Sequence, residues 1–123
     1  MQNQSDLTEK IIGCAIEVHR SLGPGLLESL YEKALCHEFK ANNIQFANQC
    51  IVPILYKGKI LGEHRLDFLV ENSVIVELKA VERIEPVFKA QLLSYLKLTG
   101  NNLGLLINFN VPVLKDGVIR VVL

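Results

Sequence analysis

A β-hairpin pattern at residues 60–80 constrains the fold of this 123-residue chain more than any other feature. Two runs with the composition of strands are joined by a short polar turn. Asp67 lies inside the first run, and Glu77 and Lys79 lie inside the second, each between apolar neighbours. Because an unpaired charge is unfavourable to bury, these side chains need a partner or a metal ion that compensates them.

The register of the hairpin decides whether the three charged side chains meet. Glu77 and Lys79 are two residues apart, so they share a face of their strand. Asp67 joins that face if residues 71–73 form a three-residue loop or if the strand is bulged, whereas a two-residue loop places Asp67 opposite Leu78. The three-residue loop is favoured because it gathers six apolar residues on one face that is expected in the core: Leu66, Phe68, Val70, Val74, Val76 and Leu78.

Composition limits the class of protein. Half of the residues are hydrophobic, 21% are charged and the formal net charge is zero, as in an ordinary globular protein, and residues 1–123 are predicted to form a single domain. Zero net charge argues against a protein that coats DNA non-specifically, because such binding depends on cationic side chains that release counterions. The sequence has no secretory signal and no apolar run of membrane-spanning length, so no membrane association is expected. Cys14, Cys36 and Cys50 lack C-x-x-C spacing and are predicted to be free thiols in a reducing cytoplasm.

Hydrophobic periodicity and turn residues predict eight elements in the order α-α-β-β-β-α-β-β. The first helix is predicted to begin at a capping box headed by Asp6, and the second to cover residues 26–41. Strands are predicted at 46–56, 60–70 and 74–80, then a helix at 87–98, then strands at 103–109 and 118–122. Pro53 indicates that the first strand is an edge strand or is bulged. The predicted fold is therefore α/β, with a mixed central sheet flanked by helices.

Three motifs, in this order, resemble those of the PD-(D/E)xK nuclease superfamily, and most of all its small GxxExxY subgroup. They are Gly25-Leu26-Leu27-Glu28-Ser29-Leu30-Tyr31, the D-x9-E-x-K spacing of Asp67, Glu77 and Lys79, and Gln91-Leu92-Leu93-Ser94-Tyr95, which is similar to a QxxxY motif. One departure is that Leu66, and not proline, precedes Asp67. The resemblance covers the chain from about Ile11 to the C-terminus and implies a restriction-endonuclease-like core.

The acidic residues of these motifs predict a site for a divalent cation. If Glu28, Asp67 and Glu77 converge, two carboxylates about 4 Å apart repel by roughly 4 kcal/mol at an effective dielectric near 20, so a cation or a proton must compensate. Oxygen ligands favour Mg²⁺, with Mn²⁺ as the alternative, over zinc. The resemblance implies that the Leu78 carbonyl adds a ligand. Lys79 is then expected to orient a water or to stabilise charge in the transition state, and the expected activity is hydrolysis of phosphodiester bonds in nucleic acid, with DNA as the expected substrate.

Glu28 and Tyr31 lie one turn apart in the predicted second helix. An acid in the first turn of a helix is favoured by the helix dipole alone, and the resemblance implies that Glu28 also binds the metal, directly or through water. Tyr31 faces the same side. We group it with the substrate-binding residues, where it is expected to pack and to donate a hydrogen bond.

Gln91 and Tyr95 share a face of the predicted third helix. Gln91 is expected to fix Lys79 or the nucleic-acid backbone, with Tyr95 supporting it, although a half-buried face packed on the sheet explains both residues equally well. Arg83 follows the third strand and is expected at the rim of the cleft. The three histidines, at positions 19, 37 and 64, have no spacing that pairs them and are predicted to be structural or solvated.

Two other interpretations stay open on sequence grounds. The chain could keep the nuclease fold without catalysis and bind nucleic acid or a protein partner. It could also be a scaffold that forms a homodimer by pairing its final strand, residues 118–122, with a second copy.

Overall fold

A computed structural model describes residues 3–123. Within this range the helices are α1 (Gln4–Leu22), α2 (Glu28–Ala41) and α3 (Pro86–Thr99). The strands are β1 (Phe46–Tyr56), β2 (Lys59–Val70), β3 (Val74–Lys79), β4 (Leu103–Asn108) and β5 (Val118–Val122), and a short 3-10 helix, Leu114–Gly117, precedes β5. The predicted element order and the mixed α/β class are confirmed.

The five strands form one mixed sheet in the order β1-β2-β3-β4-β5. All neighbouring pairs are antiparallel except β3 and β4, which are parallel. Parallel strands need a long connection, and α3 supplies it here. β1 is an edge strand with a register shift between Ile54 and Leu55, as Pro53 indicated. All of β4 is buried, as its unbroken apolar sequence predicted.

Helices cover both faces of the sheet. A first core cluster joins α1 and α2 to one face and includes Ile11, Leu35, Phe39, Phe68 and Ile107. A second cluster joins α3 to the other face and includes Leu92, Leu96, Ile75, Leu106 and Val121. The sheet is thus the middle layer of three, and α3 faces the side of β3 that carries Glu77 and Lys79.

The start of α1 differs from the prediction. The helix begins at Gln4 and is capped by Asn3, whose Oδ1 accepts a hydrogen bond from the backbone N–H of Asp6 at 2.8 Å. The predicted cap at Asp6 is therefore wrong, and Asp6 lies within the first turn. The later elements begin and end within two residues of the predicted positions.

The turn between β2 and β3 confirms the predicted register. Val70 pairs with Val74 and Phe68 with Val76, which leaves residues 71–73 as a three-residue loop. Glu71 and Asn72 both take left-handed conformations, with φ of 53°. The register places Asp67 beside Glu77 because the turn is centred on Asn72.

One part of the predicted apolar face is wrong. Phe68 packs on the α1–α2 side of the sheet, but Leu66 packs in the cluster on the α3 side. Two residues of a regular strand that are two apart share a face, so β2 departs from regular alternation at Asp67. The neighbouring position of β1 is Gln49, which lies between the pairs Asn48–Phe68 and Cys50–Leu66 and has φ of 54°, unusual for a residue other than glycine.

None of the helices found in residues 3–123 combines the length and the apolar character that crossing a bilayer requires.

Candidate active site

A cavity of about 110 Å³ lies where β2, β3 and α3 meet the start of α2. It brings together seven of the nine residues that the sequence predicted for the site: Glu28, Asp67, Glu77, Leu78, Lys79, Gln91 and Tyr95. Tyr31 and Arg83 are not part of its lining. The cavity has room for an ion with its waters or for a phosphate group, but not for a nucleoside.

The side chains of Asp67 and Glu77 each accept a hydrogen bond from a backbone N–H of the neighbouring strand. The N–H of Asp67 donates to Glu77 Oε2 at 3.1 Å, and the N–H of Leu78 donates to Asp67 Oδ2 at 2.8 Å. The regular pairing of β2 with β3 stops one residue earlier, at Phe68 and Val76. Side-chain oxygens therefore replace backbone carbonyls as acceptors at the point where β2 loses its alternation, and both carboxyl groups are fixed relative to the sheet.

Glu77 is in an environment that opposes its charged form. It is only 8% exposed. Burial is the main cause that raises its pKa, to about 9, and the neighbouring Asp67 carboxylate adds to the effect, while the backbone N–H of Asp67 and the ammonium of Lys79 oppose it. A cation or a proton must therefore accompany the Asp67–Glu77 pair near neutral pH.

His64 contacts the same carboxyl group from β2. Its Nε2 lies 3.1 Å from Glu77 Oε1, and its ring stacks on that of Tyr95 with centroids 4.0 Å apart and planes 13° apart. Burial is the main cause that lowers the pKa of His64, with Asp67 acting in the opposite direction. The sequence predicted only that His64 is structural or solvated, and this contact with Glu77 was not anticipated.

Glu28 reaches the cavity from the first residue of α2. Glu28 is exposed, so it lies at the rim of the cavity. Partial desolvation raises the pKa of its carboxyl group, and the Lys79 ammonium and a backbone hydrogen bond at Ala80 lower it. The helix dipole favours an anion at this position, which makes Glu28 a second, more accessible source of negative charge.

Lys79 brings a cation to the same cavity. Its ammonium lies 4.4 Å from the ring centroid of Phe88 on α3, within the range of a cation–π contact. This contact places the cation beside the carboxyl groups that lie on the same face of β3.

Gln91 and Tyr95 project from α3 into the cavity, one helical turn apart. Gln91 is exposed, and its side chain is available to a ligand. Tyr95 is half-buried, and the stacked ring of His64 covers one of its faces. The two residues of the third motif therefore lie in different surroundings, although the sequence suggested a joint role.

Tyr31 lies outside the cavity, and its side chain is completely buried. It therefore cannot make the substrate contact that its place among the substrate-binding residues had implied. Its hydroxyl donates to the carbonyl of Gly23 at 2.6 Å and accepts from the N–H of Leu26 at 3.1 Å, and its ring stacks on Phe109. These bonds tie the loop before α2 to the helix. Tyr31 thus positions the start of α2, where Glu28 lies.

Arg83 lies beside a neighbouring, more open cavity of about 580 Å³, which shares Phe88 with the first. Its Nε donates to Glu85 Oε1 at 3.0 Å, and both side chains are largely exposed. Arg83 therefore lies near the site but outside its lining, and the two cavities have Phe88 in common.

The residues fit an open site for a hard divalent cation. No three His, Cys, Asp or Glu side chains within residues 3–123 form a ready-made cluster that could enclose a metal. Mg²⁺ does not need one, because it keeps several of its waters and binds through one or two carboxylates. Asp67 and Glu77 offer such a pair, and the raised pKa of Glu77 is consistent with a site where a cation or a proton offsets the two carboxylates.

The sequence also matches a known protein family over a range that includes the residues of this cavity. A model of the PD-(D/E)XK nuclease superfamily matches residues 5–121, which is nearly the whole chain. The chain belongs to the PD-(D/E)XK nuclease superfamily. No curated protein and no solved structure matches it. The five-stranded mixed sheet and the three helices are consistent with the restriction-endonuclease-like fold.

Membership in the PD-(D/E)XK superfamily indicates a nuclease that acts on nucleic acid, and members of this superfamily generally use divalent metal ions. The superfamily is named for a spacing of acidic residues and a lysine. In this chain Asp67, Glu77 and Lys79 show that spacing and line one cavity.

Five residues of the cavity lining were not predicted from the sequence, and neither was a buried asparagine next to β3. The five that line the cavity are His64, Arg65, Phe88, Leu92 and Leu106. Asn108 lies outside the lining; it is 3% exposed, and its side chain binds the N–H and the carbonyl of Val81, just after β3. A polar residue inside the apolar run of β4 was the available signal for Asn108. His64 was not predicted in the site because, in a strand with regular alternation of side chains, residues 64 and 67 lie on opposite faces.

Proposed function

We propose that this protein is a Mg²⁺-dependent nuclease that hydrolyses phosphodiester bonds in DNA. The observation that carries the proposal is the pair of carboxyl groups, Asp67 and Glu77, fixed against each other in a cavity that also holds Lys79. The spacing of the GxxExxY and QxxxY motifs supports assignment to the GxxExxY subgroup. We treat residues 1–123 as the catalytic domain, and the three free cysteines favour a cytoplasmic location.

Asp67, Glu77 and the backbone carbonyl of Leu78 are the residues that would hold the ion, with Glu28 at the rim as a further ligand, directly or through water. Mn²⁺ is an alternative ion with similar oxygen ligands. When bound, the ion supplies Lewis-acid polarisation of the phosphate and stabilises negative charge. Glu77 would hold the ion as its carboxylate, so the proton of its neutral form would be released to solvent on binding.

Lys79 acts on the phosphate through its charge. The ring of Phe88 holds the ammonium beside the carboxyl groups, where it offsets the negative charge that grows on the phosphate oxygens during attack by water. We therefore assign Lys79 electrostatic stabilisation and the orientation of water, and not the role of a general base.

The walls of the cavity suit the nucleic-acid backbone. A volume of about 110 Å³ admits a phosphate group but leaves the bases outside. Gln91 offers an amide donor on the α3 side, and the exposed Arg65 offers a cation on the β2 side. Contacts of this kind position a backbone without selecting a sequence.

The test is cleavage of supercoiled plasmid and of end-labelled linear duplexes with Mg²⁺, Mn²⁺ or a chelator. Wild-type protein should cut with either ion and not with the chelator. Glu77→Ala and Lys79→Ala should lose cleavage by at least about a hundredfold, while circular dichroism shows that both remain folded. Glu63→Ala and Lys59→Ala are matched controls, because both residues are exposed on β2 outside the cavity. Full activity in both site variants contradicts the proposal.

A further inference from the structure

His64 makes the contact in this site that no motif accounts for. It lies on β2, three residues before Asp67, and its Nε2 is 3.1 Å from Glu77 Oε1. Its side chain is 35% exposed, whereas that of Glu77 is 11% exposed. The imidazole therefore lies over the buried carboxyl group on the solvent side.

The contact completes the anchoring of Glu77. Oε2 already accepts the N–H of Asp67, and Oε1 meets His64 Nε2. A carboxyl group held at both oxygens cannot rotate, so the lone pairs that these two contacts leave free point in fixed directions. Groups that hydrogen-bond a metal ligand orient it in this way, and their loss typically weakens metal binding about 10- to 100-fold.

Tyr95 fixes the imidazole in turn. The two rings are nearly parallel, with planes 13° apart and centroids 4.0 Å apart. Tyr95 comes from α3, whereas His64 comes from β2, so the stack joins two elements that both line the cavity. No hydrogen bond from the Tyr95 hydroxyl is needed for this role, which is carried by the ring.

We propose that His64 is a positioning residue for Glu77 and that Tyr95 acts through the His64 ring. The N–H at Nε2 of His64 donates a hydrogen bond to Glu77 Oε1 when the carboxylate holds a cation, and the stack with Tyr95 keeps the imidazole in place. This rests on the proposed function only in taking Glu77 to be a metal ligand. It explains why the tyrosine of the third motif is useful without contact to substrate.

Calorimetric titration of the full chain with Mn²⁺ and with Mg²⁺ tests the role of His64. His64→Ala should bind each ion about 10- to 100-fold more weakly than wild type. His64→Gln should recover part of this loss, because the glutamine amide places an N–H donor near the position of Nε2. His37→Ala is the control, since His37 is exposed on α2 and should leave the affinity unchanged.

The role of Tyr95 is tested by a double-mutant cycle on metal affinity. Tyr95→Phe keeps the ring and should bind as wild type does, whereas Tyr95→Leu should weaken binding. The effects of Tyr95→Leu and His64→Ala should not add, because the tyrosine works through the histidine. Additive effects would show that Tyr95 acts on the site by another route and would overturn that half of the proposal.

The outcomes separate this inference from the nuclease assignment. If folded His64→Ala and His64→Gln bind both ions as wild type does, the inference fails even where wild-type protein cuts DNA. If wild-type protein cuts nothing but His64→Ala weakens Mn²⁺ binding, the inference holds and the nuclease assignment fails. If wild-type protein binds neither ion, both fail. Should His64→Ala not fold, His64→Gln and Tyr95→Leu carry the same comparison.

Discussion

At the scale of single residues, Glu77 is the group whose charge depends most on the fold. A glutamate in an unfolded chain has a pKa near 4.5, and burial beside Asp67 raises the pKa of Glu77 to about 9. Between these values the folded protein binds a proton that the unfolded chain does not bind. The stability that this proton contributes is therefore complete below pH 4.5 and is lost as pH rises towards 9.

This predicts a pH dependence of stability in the absence of divalent ions. With a chelator present, the free energy of unfolding of wild-type protein should fall between pH 5 and pH 9, by at most about 1.4 kcal/mol per pH unit from this group. Glu77→Gln, which cannot lose a proton, should lack that fall and be the more stable protein at pH 8. Urea denaturation at each pH measures the difference, and parallel curves for the two proteins would contradict the assigned protonation.

Phe88 offers a second prediction at this scale. Phe88→Leu keeps an apolar side chain under the Lys79 ammonium but removes the ring face, a contact of about 0.5–2 kcal/mol. We expect cleavage to fall several-fold, less than in Lys79→Ala, with Mg²⁺ affinity unchanged, because the ligands of the ion are untouched. Steady-state rates measure the change in cleavage, and calorimetric titration measures the Mg²⁺ affinity. A loss of metal affinity would show that Phe88 supports the carboxyl groups and not the lysine.

At the scale of elements, the fit of α3 on β4 depends on Gly104. A Cβ at this position would lie 2.9 Å from two carbons of the Leu92 side chain, which is buried in the second core cluster. Gly104→Ala should destabilise the protein by about 1–3 kcal/mol through overpacking. Gly104→Ala combined with Leu92→Ala should cost less than the sum of the single changes, since the second change makes the room that the first one needs.

Gly13→Ala is the matched control for Gly104→Ala. Gly13 is exposed in the middle of α1, and a Cβ there meets nothing within 4 Å. The substitution should stabilise the protein by about 0.5–1 kcal/mol, because alanine favours a helix. Urea midpoints report both variants, and an equal effect at the two positions would argue against overpacking at Gly104.

At the scale of the whole molecule, an ion bound at Asp67 and Glu77 would link three parts of the chain. β2 and β3 carry these two residues, and α2 carries Glu28. A ligand that binds only the folded state stabilises it, by about 2.7 kcal/mol at one hundred times its dissociation constant. We expect Mg²⁺ to raise the melting temperature of wild-type protein and not that of Asp67→Asn. Asp116→Asn, in the exposed turn before β5, should respond as wild type does, and calorimetric melting curves measure all three.

Much of the fold followed from local patterns. The turn of three residues was predicted because it gathers the apolar residues of the two strands on one face, and the structure has this register. The buried β4 strand was predicted from an unbroken apolar run. The start of α1 was missed because several residues near the N-terminus can cap a helix, and the choice of Asn3 over Asp6 adds one more turn, whose Gln4 contacts Ser73 and Asn102.

The candidate site was predicted in part. Glu28, Asp67, Glu77 and Lys79 line one cavity as their spacing suggested, but Tyr31 lies in the core and Arg83 pairs with Glu85 outside it. Spacing places residues on a face but does not say what covers that face. The α1–α2 layer buries Tyr31, which lies in the first core cluster.

The sequence alone determined the order of the elements, the register of the hairpin and the meeting of two acids with a lysine, because periods of 2 and 3.6 residues leave few ways to bury the apolar side chains. Only the tertiary structure decided the irregularity at Asp67 and Gln49, the contact of His64 with Glu77 and the raised pKa of Glu77. These depend on desolvation and on contacts between residues of different elements, and no local pattern in the chain encodes either.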